Sequence, residues 1–311
     1  MNTYEITKIS FEKNRYDFQL LEKHIQTLIG EFPFLQVDII GKSMMGKPIY
    51  LITLGEGKRR IHLNGSHHAN EWITTYILMK CIEKIGMLIK KDTTLLKHIC
   101  YDFIPMVNPD GVALCLDGLQ FMSDHKMIKS IQTMNEGSED FSRWKANIRG
   151  VDLNRNYNAG FEAYKKISEK RIPSYAYYQG RYPESEPETK AVANLTRRRN
   201  YQMVMAFHTQ GEVIYWDYDE IQVPLANKYA IMFSKVSGYA LDKPEPLAAS
   251  GGYKDWFIKA FHRPGFTIEC GRGENPIPIS QAPRIIDQVF PIIVGVQKDL
   301  REGAISFGSL Q

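Results

Sequence analysis

Two patterns in the chain predict an α/β fold. Short apolar runs that read as strands alternate with longer segments whose apolar residues recur at helical spacing. Several of the apolar runs also end in a chemically capable residue: His67 and His68, Asn108, His208, Glu269. Open α/β sheets bind ligands at the C-terminal edge of their strands, near a switch in strand order, so these scattered residues become candidates for one site. At 311 residues, 43% of them hydrophobic and 24% charged, the chain can bury a large core and has an ordinary globular composition. No internal repeat or low-complexity linker divides it, and one domain over residues 1–311 is expected.

The elements follow in order. Residues 11–33 carry Phe18, Leu21, Ile25 and Leu28 at helical spacing and close at Gly30 and Pro33. Residues 37–40 alternate like a strand, residues 41–48 form a turn, and residues 49–54 return as the second strand of a hairpin. After a turn at 55–58, a strand at 60–63 runs into Asn64-Gly65-Ser66-His67-His68-Ala69-Asn70-Glu71-Trp72. Residues 71–90 read as one long helix, with Trp72, Ile73, Tyr76, Ile77, Ile82 and Ile85 on its apolar positions. A strand at 101–107 stops at the turn Asn108-Pro109-Asp110-Gly111. Residues 112–148 lack clear periodicity, which predicts a surface excursion with one short helix. Ser185 and Glu188 have capping-box spacing and Pro187 suits a first turn, so a helix opens there. A buried strand at 202–207 ends at His208, and a helix covers 224–239. Gly251-Gly252 marks a tight turn before a helix at 254–261. A short strand at 266–268 ends at Glu269, and a helix at 283–301 closes the chain.

Charge and composition exclude some classes. A formal charge of +4 suits a small acidic substrate, but no dense basic stripe marks a nucleic-acid binder. No apolar run is long enough to span a bilayer. Met1-Asn2-Thr3-Tyr4-Glu5 lacks the basic start and apolar core of a secretory signal. Cys81, Cys100 and Cys115 lie in apolar surroundings and, with Cys270, show no close pairing, so free thiols and a cytoplasmic location are expected.

His68-x-x-Glu71 sets an imidazole and a carboxylate one turn apart, so both can aim at one point. Hydrolytic zinc needs such donors and an open position for water. His208 is the candidate third ligand; a buried, hydrogen-bonded core histidine is the competing reading. Glu269 ends an apolar strand, where a carboxylate is costly unless paired or functional, so it is either a salt-bridged structural group or a base acting on water. Asp152-Leu153-Asn154-Arg155-Asn156-Tyr157 offers an amide and a guanidinium fork that match a carboxylate, while Asp152 is placed to orient a ligating histidine.

With these residues in view, the chain resembles the zinc carboxypeptidase family, the M14 metallopeptidases, over roughly residues 10–300. The resemblance rests on His68-Ala69-Asn70-Glu71-Trp72, Asn108-Pro109-Asp110-Gly111, Val151-Asp152-Leu153-Asn154-Arg155-Asn156, His208-Thr209-Gln210, Ala249-Ser250-Gly251-Gly252, Asp255-Trp256 and Phe266-Thr267-Ile268-Glu269, in the family's order. It implies a mixed, mostly parallel eight-stranded twisted sheet flanked by helices. It implies zinc on His68, Glu71 and His208, Glu269 as general base and later acid, and Asn154 and Arg155 on the substrate's terminal carboxylate. The family's tyrosine before Ala-Ser-Gly-Gly is replaced by Leu247, with Tyr253 as a substitute. The segment that carries the family's carbonyl-polarising arginine is shortened; Arg149, Arg143 and Lys145 are the candidates, and Arg149 is the expectation. Related enzymes place the floor of the side-chain pocket at the position held by Lys254, which would favour a substrate side chain bearing a carboxylate; a solvated lysine on a helix is the alternative. The blocks at 65–72 and 268–276 look most like a bacterial branch, the γ-D-glutamyl-meso-diaminopimelate peptidases, which implies a murein peptide as substrate. Removal of C-terminal residues from ordinary peptides, and non-catalytic binding of wall peptides, are the alternatives.

Overall fold

The computed structural model describes residues 8–97, 99–245 and 249–301. Its first half builds one side of a sheet. Helix α1 (Phe18–Glu31) is capped by the Asp17 carboxylate, which accepts from the Leu20 amide. It precedes the hairpin β1 (Gln36–Lys42) and β2 (Pro48–Leu54). Strand β3 (Arg59–Asn64) leads through a 3₁₀ turn (Ala69–Glu71) into α2 (Ile73–Lys91), and β4 (Ile99–Ile104) follows. Next come α3 (Pro109–Asp117), α4 (His125–Met134), a 3₁₀ turn (Leu153–Arg155), α5 (Phe161–Ile167) and α6 (Pro187–Arg199). The second half adds β5 (Met203–His208), β6 (Val213–Tyr215), α7 (Ala226–Ser237), β7 (Ala240–Leu241), α8 (Tyr253–Phe261), β8 (Gly265–Glu269) and α9 (Ala282–Arg301).

Eight strands share one sheet in the order β1-β2-β4-β3-β5-β8-β6-β7. The central block β4-β3-β5-β8 is wholly parallel, and the β1–β2, β2–β4 and β6–β8 pairs are antiparallel. A parallel strand covered on both faces needs apolar residues throughout, and β5 shows this. Its Met203, Met205 and Phe207 join one core, while Val204 and Ala206 join the other. Helices α1, α2, α7 and α9 supply most of the first core; α6 and α8 line the second.

The expected α/β class and the eight-stranded, mostly parallel sheet are the observed architecture. Residues 112–148 differ from expectation, since they carry most of α3 and the whole of α4. Trp144, Phe141, Leu114 and Ile131 bury together as a third, smaller core there. Helix α4 does carry an apolar face, Met127, Ile128, Ile131 and Met134, but that face is short and has only Ile131 fully buried, so it stands out little within this segment. The long helix begins at Ile73 rather than at residue 71 because the preceding turn is 3₁₀.

The central strands fix where chemistry can occur. From β3 the sheet grows towards β4 on one side and β5 on the other, which makes the β3/β5 boundary the switch point. The ends of β3, β5 and β8 all open onto that crevice. His208 and Glu269 are register partners on β5 and β8, and registered residues of parallel strands project to the same face.

Candidate metal centre and active site

The turn after β3 aims the first two donors. His68 is the N-cap of the 3₁₀ turn and Glu71 its last residue. With three residues per turn, positions i and i+3 eclipse, which brings the two side chains to one side. Buried bonds fix the turn: the Ser66 amide donates to Thr74 Oγ1 at 2.8 Å, and Thr74 Oγ1 donates to the Glu71 carbonyl at 2.8 Å.

The three sequence-selected donors meet. His68 Nδ1 lies 2.8 Å from Glu71 Oε1, His208 Nδ1 lies 2.8 Å from Glu71 Oε2, and the two Nδ1 atoms are 3.3 Å apart. All three side chains are buried, at 5%, 1% and 1% exposure for His68, Glu71 and His208, so the cluster is no surface accident. Two nitrogens about 2.05 Å from a tetrahedral zinc stand roughly 3.3 Å apart, which matches this spacing. Among the described residues this is the one group of three whose donor atoms lie within 4.8 Å of one another. The donors therefore fit a zinc ion of the hydrolytic kind.

Neighbours orient the donors. Asp152 Oδ1 lies 3.1 Å from His68 Nε2, which turns Nδ1 towards the cluster, and Asp152 itself is held at the start of its 3₁₀ turn by the Asn154 amide. The Thr209 amide donates to Glu71 Oε2 at 3.2 Å. His67 belongs elsewhere: its Nε2 lies 2.9 Å from the Tyr157 hydroxyl. Asn108 caps α3, accepting from the Gly111 amide at 3.0 Å, and is a structural residue.

Charge in the cluster follows from burial and neighbours. Burial pulls His68 down, but Glu71 and Asp152 outweigh it and its pKa lies above the usual 6.5. For His208 burial wins over Glu71 and the pKa falls. Burial would raise Glu71, yet the two imidazoles beside it hold the carboxyl well below its ordinary range. Glu269 is pushed up to about 8 by burial, with Glu71 adding to the rise and Lys145, His68 and Arg155 opposing it. Zinc must displace the proton of metal-free His68. Below that histidine's pKa, zinc affinity is therefore expected to fall by about tenfold per pH unit, as read by competition with a chromogenic chelator.

A cavity of about 310 Å³ opens over the cluster, and it also exposes Glu269, Asn154, Arg155, Lys145, Tyr177 and Lys254. The Asn154 side-chain oxygen accepts from the Tyr253 amide at 3.0 Å, which leaves the amide nitrogen as the donor it can offer a ligand. Arg155 donates to the Asn154 carbonyl at 2.8 Å and lies over the Tyr164 ring. Gly251 makes this packing possible: its φ is +79°, and a Cβ there would stand 2.7 Å from the Arg155 carbonyl oxygen.

Two expectations need correction. Arg149 does not line the cavity; it is 43% exposed along its side chain, and its Nε faces Glu186 at 3.7 Å. Lys145, four residues earlier, takes the place instead, with Nζ 3.8 Å from Glu71 Oε1 and over the Tyr177 ring. Burial lowers the Lys145 pKa, but Glu71, Asp152 and Tyr177 raise it more, so its ammonium is secure. Tyr253 is no substitute cap: it is fully buried, and its hydroxyl lies 2.8 Å from Thr196 Oγ1. Leu247 lies outside the described residues. Lys254 lines the cavity and is buried, and Asp255 is its immediate neighbour in space. Lys145 is one of the three basic candidates, and Asp255 stands in the Asp255-Trp256 block at the start of an expected helix, but nothing in the sequence gives either of them, or Tyr177, a place in the cavity.

Comparison with known proteins agrees with this geometry. The chain is 39% identical over 293 residues to gamma-D-glutamyl-L-diamino acid endopeptidase 1 of Lysinibacillus sphaericus, covering 91% of this chain and 72% of that protein. It is 33% identical over 288 residues to the uncharacterised protein YqgT of Bacillus subtilis (strain 168), covering 89% and 76%. The fold matches a carboxypeptidase A from Helicoverpa armigera with a TM-score of 0.73 at 18% identity, covering 93% and 75%. A family model described as Zinc carboxypeptidase matches residues 21–291. With its sheet, its donor cluster and this match across most of its length, the chain belongs to the zinc carboxypeptidase family and is a zinc metallopeptidase.

Proposed function

We propose that this peptidase hydrolyses the bond between γ-D-glutamate and the L-centre of meso-diaminopimelate in murein peptides, and that His68, Glu71 and His208 hold its zinc. The carrying observation is that Glu269, Asn154, Arg155 and Lys254 line one cavity with His68 and Glu71, whose donor cluster His208 completes. The similarity to an endopeptidase named for γ-D-glutamyl-L-diamino acid bonds supports the substrate class. No described helix is long and apolar enough to cross a membrane. Together with four unpaired cysteines, this supports action in the cytoplasm on free wall peptides.

Bound zinc supplies a Lewis acid that lets water give up a proton near neutral pH. The chain's own residues do the rest. Asn154 and Arg155 take the substrate's terminal carboxylate and fix the scissile bond over the cluster. Glu269 takes a proton from the attacking water and delivers it to the leaving amine. Its raised pKa suits the second task, while the cationic charge around it in the loaded site favours the carboxylate needed for the first. The Lys145 ammonium faces the oxygen that gains negative charge. Lys254, which lines the same cavity, contacts the substrate side chain.

The test is turnover of L-Ala-γ-D-Glu-meso-diaminopimelate with and without a chelator. Chelator-sensitive release of diaminopimelate is expected; release of ordinary C-terminal residues with none from this peptide would favour the carboxypeptidase reading. Lys145→Met should lower kcat by about 10²–10³-fold, the range for losing one oxyanion donor. Stopped-flow turnover alongside metal analysis checks this, because the zinc content should not change.

A further inference from the structure

The cavity also holds a pair of charges that bond cleavage does not use. Lys254 and Asp255 are consecutive in the first turn of α8, are 4% and 3% exposed, and both line the cavity. Lys254 Nζ lies 2.5 Å from Asp255 Oδ1 and donates to the Asp217 carbonyl at 2.6 Å. An ammonium has three donors, so one remains for a ligand. Asp255 has Lys254 as its one ion-pair partner among the described residues, and a carboxylate has about four acceptor positions. Thr267 and Gly252 also line the cavity, and a Cβ at Gly252 would stand 2.8 Å from Asp255 Oδ2 and 3.4 Å from Asn154 Oδ1, so the pair lies close to Asn154.

A buried pair of this kind discriminates in a way that a lone lysine does not. A substrate side chain ending in a carboxylate alone would be drawn to Lys254 and repelled by Asp255. One ending in an ammonium alone would meet the reverse. A group carrying both charges on one carbon opposes each to its partner, and four charges of alternating sign close a ring in which no buried charge stands unmatched.

We propose that Lys254 and Asp255 form a subsite for a zwitterionic amino-acid terminus on the substrate side chain. Asp255 takes the ammonium and Lys254 the carboxylate. This rests on the function proposed above, in which Asn154 and Arg155 take the other carboxylate, and it assigns the D-centre of diaminopimelate to a place in the cavity. Asp255 thereby becomes a specificity residue rather than only an acidic residue at a helix start.

The experiment compares kcat/KM on three peptides that differ only in the residue after γ-D-glutamate. These are meso-diaminopimelate with both charges, L-2-aminopimelate with the carboxylate alone, and L-lysine with the ammonium alone. The wild-type protein is expected to favour meso-diaminopimelate over each analogue by about 10–100-fold, the range for one charged hydrogen bond. In Asp255→Asn the ratio of meso-diaminopimelate to aminopimelate should collapse towards unity, and in Lys254→Met the ratio of meso-diaminopimelate to lysine should do so. Thermal melts of both variants separate loss of folding from loss of selectivity. Wild-type cleavage of aminopimelate as fast as diaminopimelate would overturn the proposal. So would an Asp255→Asn variant slowed equally on all three peptides. Failure to cleave any of the three would instead bring down the underlying function.

Discussion

Glu269→Gln is expected to lower kcat on the murein tripeptide by about 10²–10⁴-fold, the usual contribution of a positioned acid–base group. The amide keeps the shape and the hydrogen-bonding reach of the side chain but can neither take a proton from water nor return one to the amine. Glu269 is no member of the donor cluster, so zinc content should be unchanged, and KM should move little because the proposed grip on the substrate carboxylate belongs to Asn154 and Arg155, which line the same cavity. The checking measurement is single-turnover kinetics on metal-loaded protein. Near-normal turnover would remove Glu269 from the chemistry.

His208→Ala is expected to abolish both zinc retention and turnover. His208 supplies one of the two imidazole donors, and its Nδ1 stands 2.8 Å from Glu71 Oε2. Without it, Glu71 loses one of the two partners that hold its buried carboxyl ionised, so the remaining pair is a poorer ligand set as well as a smaller one. Equilibrium dialysis followed by elemental analysis should find no stoichiometric zinc after exposure to a mild chelator that the wild-type protein survives. Asp152→Asn should act in the same direction and less severely. It keeps the His68 contact but removes the charge that supports it, and a loss of about 10–100-fold in zinc affinity is expected.

The parts legible in the sequence were those with a period or a fixed spacing. The central strands declare themselves as unbroken apolar runs, because burial on both faces leaves no polar alternation; residues 203–207 are the clear instance. His68 and Glu71 were readable because their spacing is one turn, and His208 and Glu269 because each ends such a run. Strands β6 and β7 were not, since three and two residues are too short to show alternation. The choice between Arg149 and Lys145 failed for a related reason. Both lie in irregular backbone between α4 and the turn at Leu153–Arg155, where no repeat says which side chain faces inward. What decides it is the packing of Trp144 and Ala146 into the third core, with the Lys145 and Ala146 amides both donating to the Tyr175 carbonyl. Asp255 was visible as part of the Asp255-Trp256 block but not as a cavity residue, because an acidic residue in a first helical turn is ordinary, and only its burial beside Lys254 makes it unusual.

The proposed chemistry requires a zinc ion shared by His68, Glu71 and His208. The most direct test is an anomalous-difference map at the zinc edge from crystals of the metal-loaded protein. The predicted result is one strong peak about 2.0–2.2 Å from His68 Nδ1, His208 Nδ1 and a Glu71 carboxylate oxygen, with Glu269 facing it and not bound to it. A peak elsewhere, or full zinc occupancy that spares any one of the three donors, would contradict it.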